Sequence, residues 1–123
     1  MHIGTDIVQI ERIEDALARH GARFIDRLLT SAEQARLSHR PESLAGYWAA
    51  KESIAKALGT GIGAELGFHD ILLDKTTSGA PLFALSTSAQ MRLGMCTGSL
   101  SISHDGAYAI AVAALDCTDA PGV

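Results

Sequence analysis

The sequence predicts an α+β fold in which a helix-rich front half precedes a mostly antiparallel sheet. Three observations carry this prediction. Apolar residues step at helical spacing through the first half, whereas short alternating runs between turn residues fill the second. The chain has 123 residues, 47% apolar and 20% charged, which suits one domain with its own core.

Ile3 to Ile10 reads as a strand passing into a helix, along which Ile7, Val8, Ile10, Ile13 and Leu17 keep helical spacing. Gly21 interrupts, and Phe24 to Leu29 resumes as a short helix. Thr30 with Glu33 three residues on is a capping-box pattern for a helix through Leu37. Pro41 suits the first turn of the next helix, and Gly59 and Gly61 mark its end. Phe68 to Lys75 and Leu82 to Leu85 read as strands flanking the turn-rich stretch from Thr76 to Pro81. Thr87 and Gln90 suit the start of a short helix ending at Gly94. Ser99 to Ser103 alternates like a half-buried strand, His104-Asp105-Gly106 reads as a turn, and Tyr108 to Leu115 as a buried strand. Residues 1–118 form the expected domain and 119–123 a loose tail.

A formal net charge of −4 argues against nucleic acid as the partner. The N-terminus carries neither a basic segment nor a long apolar run, and the longest apolar stretch, Ala107 to Leu115, is nine residues. The expectation is a cytoplasmic protein that engages no membrane. Cys96 and Cys117 stand apart in sequence without a metal-type pattern, and are expected to be reduced thiols.

The chemistry concentrates around one helix. On a wheel over Leu44 to Leu58, Tyr47, Ala50, Ile54 and Leu58 share one face, with Ala45, Ala49, Glu52 and Lys56 opposite. Glu52 and Lys56 are one turn apart, a spacing that alone suits a surface ion pair. Their neighbours are alanines, however, which leave room for another group. The helix also runs into Gly59-Thr60-Gly61-Ile62-Gly63, read either as a glycine C-cap or as backbone N–H groups open to an anion. Carboxylate, lysine and glycine loop within about two turns suit a metal with a polyphosphate. A second carboxylate is supplied by Asp6, in Gly4-Thr5-Asp6-Ile7-Val8; the competing role is capping the helix that follows.

Three segments together resemble the holo-acyl-carrier-protein synthases, the small bacterial type of 4′-phosphopantetheinyl transferase. They are Ile3-Gly4-Thr5-Asp6-Ile7-Val8, Trp48-Ala49-Ala50-Lys51-Glu52-Ser53 through Lys56-Ala57-Leu58-Gly59-Thr60-Gly61, and Ser101-Ile102-Ser103-His104. The resemblance implies transfer of the phosphopantetheine arm of coenzyme A to a serine of apo acyl carrier protein. It implies Mg²⁺ on Asp6 and Glu52, phosphate contact by Lys56, and a nucleotide site lined by His104, with Lys51, Gly59, Thr60 and Gly61 also near coenzyme A. It implies a homotrimer whose sites lie between subunits, and docking of an acidic carrier helix on Arg12, Arg23, Phe24 and Arg27. Tyr47, Ser53 and Ala80 stand where many relatives have arginine, alanine and lysine. The serine proton has three candidate acceptors: a metal-bound water, Glu52 or Asp105. Asp105 reads either as a third metal ligand or as the turn residue. A nucleotide-binding module without transfer, a different Mg²⁺-dependent nucleotide enzyme and a structural trimer are the competing functions.

Overall fold

The computed structural model describes residues 1–119. Apart from Asp119, the expected tail lies outside the described residues. The elements run β1 (His2–Gln9), α1 (Ile10–His20), α2 (Ala22–Leu28), α3 (Ser31–Arg36), α4 (Pro41–Leu58), a 3₁₀ turn (Phe68–Asp70), β2 (Ile71–Lys75), β3 (Pro81–Leu85), α5 (Thr87–Leu93), β4 (Cys96–Asp105) and β5 (Tyr108–Cys117). This is the α+β order expected from the sequence. All strand pairs are antiparallel: a three-stranded sheet ordered β1-β5-β4, and a separate β2-β3 hairpin.

Local chemistry explains most boundaries. Thr30 accepts from the Glu33 amide while the Glu33 carboxylate accepts from the Thr30 amide, so the capping box of α3 is complete. Pro41 occupies the first turn of α4, and Gly59 ends it at φ +82°. Ser86, rather than Thr87, caps α5 by accepting from the Ala89 amide. The turn joining β4 and β5 is Gly106-Ala107, with Gly106 at φ +59°. His104 and Asp105 therefore belong to the end of β4, not to the turn. A glycine at the first position of a two-residue loop matches the twist of the strands on either side.

The wheel expected for α4 needs correction. Ala45, Ala49, Ala50, Ile54 and Ala55 are all fully buried, whereas Leu58 is only partly so. The helix is wrapped on nearly every side because the sheet packs on it while α1 and β2 flank it. A Cβ added to Gly4 of β1 would overlap the Ser53 carbonyl and approach the Ala57 amide, and one on Gly46 would come within 2.9 Å of Ile102. The small residues of α4 thus permit close backbone approach; they do not clear space for a ligand. Each buried Leu or Ile in this core contributes roughly 1.5–3 kcal/mol.

The opposite face of the three-stranded sheet is uncovered in the single chain. Ile3 (67%), Ile7 (60%), Tyr108, Ile110 and Val112 are exposed there, since they alternate with the buried Gly4, Val8, Ala109, Ala111 and Ala113. No helix among the described residues is long and apolar enough to cross a membrane. Cys96 and Cys117, expected as separate thiols, are disulfide-bonded. The reason is register: they face each other directly across β4 and β5, a proximity their 21-residue separation conceals.

Candidate active site

Asp6 reaches the helix side of β1 because it shares the pleat of Gly4 and Val8. The close approach at Gly4 then sets Asp6 beside α4. There Lys56 Nζ donates to Asp6 Oδ1 at 2.9 Å and to the Thr5 carbonyl at 3.1 Å. Glu52 lies one turn before Lys56. Burial first, then the neighbouring Asp6 charge, raises the Glu52 carboxyl above 4.5, against the pull of Lys56, Arg12 and Arg27. The structure therefore brings Asp6, Glu52 and Lys56 together, with Arg12 and Arg27 near enough to be felt.

Two carboxylates brought together at the junction of β1 and α4 form a hard oxygen donor set that suits Mg²⁺. Among the described residues, no three His, Cys, Asp or Glu side chains form a metal-holding group. Within one chain Asp105 is therefore not grouped with Asp6 and Glu52.

Two expected ligand contacts are corrected. Lys51 is fully buried, and its three donors are taken by the Leu28 carbonyl (2.8 Å), Glu33 Oε1 (2.8 Å) and the Phe68 carbonyl (2.9 Å). An ammonium group has three N–H bonds, so none remains for coenzyme A. The loop after α4 is a helix cap. The Gly59 amide donates to the Lys56 carbonyl, the Gly61 amide to the Ala55 carbonyl, and the Thr60 hydroxyl to the Gly61 carbonyl. These donors close the end of the helix and leave no cradle of free N–H groups on Gly59 and Gly61.

The arginine-bearing surface is present. Arg12, Arg23 and Arg27 are exposed on α1 and α2. Phe24 is buried at 7% and stacks on Trp48 with centroids 6.0 Å apart, so it floors this surface instead of projecting from it. Trp48 in turn meets Phe68 at 4.8 Å, and Arg27 lies 5.8 Å over the Phe68 ring. A cavity of about 190 Å³ lies among Arg12, Ile13, Phe24, Arg27 and Trp48.

His104 belongs to a second place. It lines a cavity of about 190 Å³ with Glu42, Tyr47, Lys75 and Pro81. Sequence reading missed three of these residues. Tyr47 belongs to the core as expected, buried at 5%, yet its hydroxyl has no hydrogen-bond partner among the described residues. Its phenol was the available signal, because a buried Tyr hydroxyl normally finds one. Lys75 Nζ lies 5.7 Å from the Tyr47 ring centroid. Glu42 is held below the usual carboxylate range by its own backbone N–H and by Arg40, against desolvation. None of Asp6, Glu52 or Lys56 lines this cavity, so the two polar places are separate within one chain.

This arrangement, a carboxylate pair and lysine on an α+β frame, has known counterparts. A family model described as the 4′-phosphopantetheinyl transferase superfamily matches residues 2–113. A holo-acyl-carrier-protein synthase of Sulfurovum sp. is 54% identical over 94% of this chain and 97% of its own length. That of Wolinella succinogenes is 53% identical over 93% and 96%. A crystal structure of the Helicobacter pylori holo-acyl-carrier-protein synthase in complex with coenzyme A superimposes with a TM-score of 0.85 at 40% identity, covering 93% of this chain and 99% of that one. The chain belongs to the holo-acyl-carrier-protein synthases within that superfamily and is an enzyme.

Proposed function

We propose that the enzyme transfers the 4′-phosphopantetheine arm of coenzyme A to a serine hydroxyl of apo acyl carrier protein, releasing adenosine 3′,5′-bisphosphate. The observation that carries this is the meeting of Asp6, Glu52 and Lys56 in a chain so similar to synthases named for that reaction. The serine oxygen attacks the β-phosphorus, the phosphoanhydride bond breaks, and the arm becomes a phosphodiester on the carrier. Lys56 faces the pyrophosphate and offsets its charge. Asp6 and Glu52 would hold Mg²⁺, which supplies charge neutralisation at the phosphate oxygens. Of the chain's own candidates for the serine proton, the proximity of Glu52 to Asp6 and Lys56 favours Glu52 over Asp105. The nucleotide end is assigned to the His104 cavity, where the unpartnered Tyr47 hydroxyl and Lys75 offer donors.

The test is incubation with coenzyme A, Mg²⁺ and apo carrier protein, followed by intact mass of the carrier. Gain of the phosphopantetheine arm is expected. No gain with several carrier proteins overturns the assignment.

Arg12 gives a second expectation. It sits at the rim between the carboxylate cluster and the arginine surface, so Arg12→Glu should raise KM for the carrier roughly tenfold or more with little change for coenzyme A. Equal shifts for both substrates in steady-state kinetics remove the docking role.

The separation of the two polar places supports a homotrimer in which a neighbouring chain completes each site. The uncovered face bearing Ile3, Ile7, Ile110 and Val112 is the surface available for that association. Introducing Asp at both Ile7 and Ile110 should yield monomers by light scattering, with transfer lost alongside.

Glu52 also links the site to stability. Its folded-state carboxyl lies above 4.5, so the folded chain binds more protons than the unfolded one between 4.5 and that raised value. Its contribution is favourable at low pH and is lost as pH rises through the window. Without divalent cation, Glu52→Gln should therefore melt a few degrees higher than the wild type at neutral pH, with the gain vanishing near pH 4. Thermal melts across pH with chelator check this.

A further inference from the structure

We propose that Cys96 and Cys117 form a reversible redox site that reacts with low-molecular-weight disulfides. Their pairing does not depend on the sulfur–sulfur bond. The two residues are direct partners on the β4-β5 ladder, with Cα atoms 4.1 Å apart. The pairing continues past them: the Thr118 amide donates to the Met95 carbonyl at 2.9 Å, and the Met95 amide to the Thr118 hydroxyl at 3.1 Å. Ladder pairing and these flanking contacts, none of which involves sulfur, thus keep the two residues opposite each other. Closing or opening the bond therefore leaves the strand register unchanged, so the two forms can interconvert within the fold.

Access distinguishes the two sulfurs. Both residues lie on the α4 side of the sheet, sharing the pleat of Leu100 and Leu115, and so stand apart from the exposed apolar face. Cys96 is buried at 8%. Cys117 lines a cavity of about 270 Å³ together with His2, Leu93, Thr118 and Asp119. Cys117 is the sulfur an incoming reagent meets, and Cys96 is placed to resolve the adduct. The Cys117 thiolate attacks one sulfur of the small disulfide, and one small thiol leaves with a proton. The Cys96 thiolate then attacks Cys117 Sγ, displacing the second small thiol. Both cysteines are oxidised, together losing two electrons, and the reagent disulfide is reduced to two thiols.

The experiment treats the reduced full-length protein with oxidised glutathione and follows intact mass, free thiols under denaturation and melting temperature. Wild type should lose both thiols with the mass of two hydrogens, retain no glutathione, and melt higher by roughly 5–15 °C, since the bond closes a 21-residue separation. Dithiothreitol should reverse all three changes. Cys96→Ser should stop at a stable glutathione adduct on Cys117, whereas Cys117→Ser should react far more slowly. Thiols that stay free in the native wild type, disulfides formed between chains, or equal reactivity of the two single variants would overturn the proposal. The double variant, Cys96→Ser with Cys117→Ser, should keep wild-type transfer activity in reducing buffer and show no thermal response to glutathione. A response in that variant also overturns it.

Discussion

Glu52→Gln should lower transfer by about 10²–10³-fold while leaving a well-folded protein. The amide keeps the shape of the side chain, but it removes one of the two charges gathered at the site. In the wild type burial and the neighbouring Asp6 charge disfavour ionisation of Glu52, and Lys56, Arg12 and Arg27 offset only part of that cost. A group that burdens the free enzyme in this way is one whose value appears when a cation and substrate phosphates arrive. The loss should fall on kcat, and raising Mg²⁺ should not restore it. The variant is also the one expected to melt higher without metal, so low activity cannot be assigned to unfolding. A variant with normal rate and normal Mg²⁺ dependence would remove Glu52 from the metal site.

Lys51→Met should cost about 3–5 kcal/mol of stability, the range found when one partner of a buried ion pair is deleted. Three acceptors lose their donor at once. Glu33 is left as a fully buried carboxylate supported only by the Thr30 and Leu73 amides. The Leu28 and Phe68 carbonyls lose the cation that tied α2 and the 3₁₀ turn to α4. For a chain of this length that is a fall of roughly 10–20 °C in Tm, measurable by calorimetry. The KM for coenzyme A of the surviving folded fraction should stay near the wild-type value, because all three Lys51 N–H groups are engaged inside the core. A stable Lys51→Met protein with a large rise in that KM would reinstate Lys51 as a contact residue.

Legibility in the sequence followed the range of the interaction. Elements written in local chemistry, such as the Thr30–Glu33 box, Pro41 and Gly59, were readable to within a residue or two. Glu52 and Lys56 were readable as a pair because one helical turn separates them. Lys51 was misread because its partners come from Leu28, Glu33 and Phe68, 17 to 23 positions away, and nothing local shows a lysine turning inward. The alanines of α4 were misread because a wheel has two faces, whereas this helix is enclosed by several elements. The cysteine pair and the cavity around His104 and Lys75 depend on strand register and hairpin placement, which are tertiary facts. The coenzyme A reading came from resemblance across three segments, not from periodicity.

The distance between the carboxylate cluster and the His104 cavity has a genetic consequence. Where a neighbouring chain completes each site, two inactive alleles need not make an inactive cell. A chain lacking Glu52 still carries a sound His104 cavity, and a chain lacking that cavity still carries Glu52. Mixed assemblies of the two therefore contain some sites built from both intact halves. Defects in different halves would complement one another in a merodiploid, while defects in the same half would not.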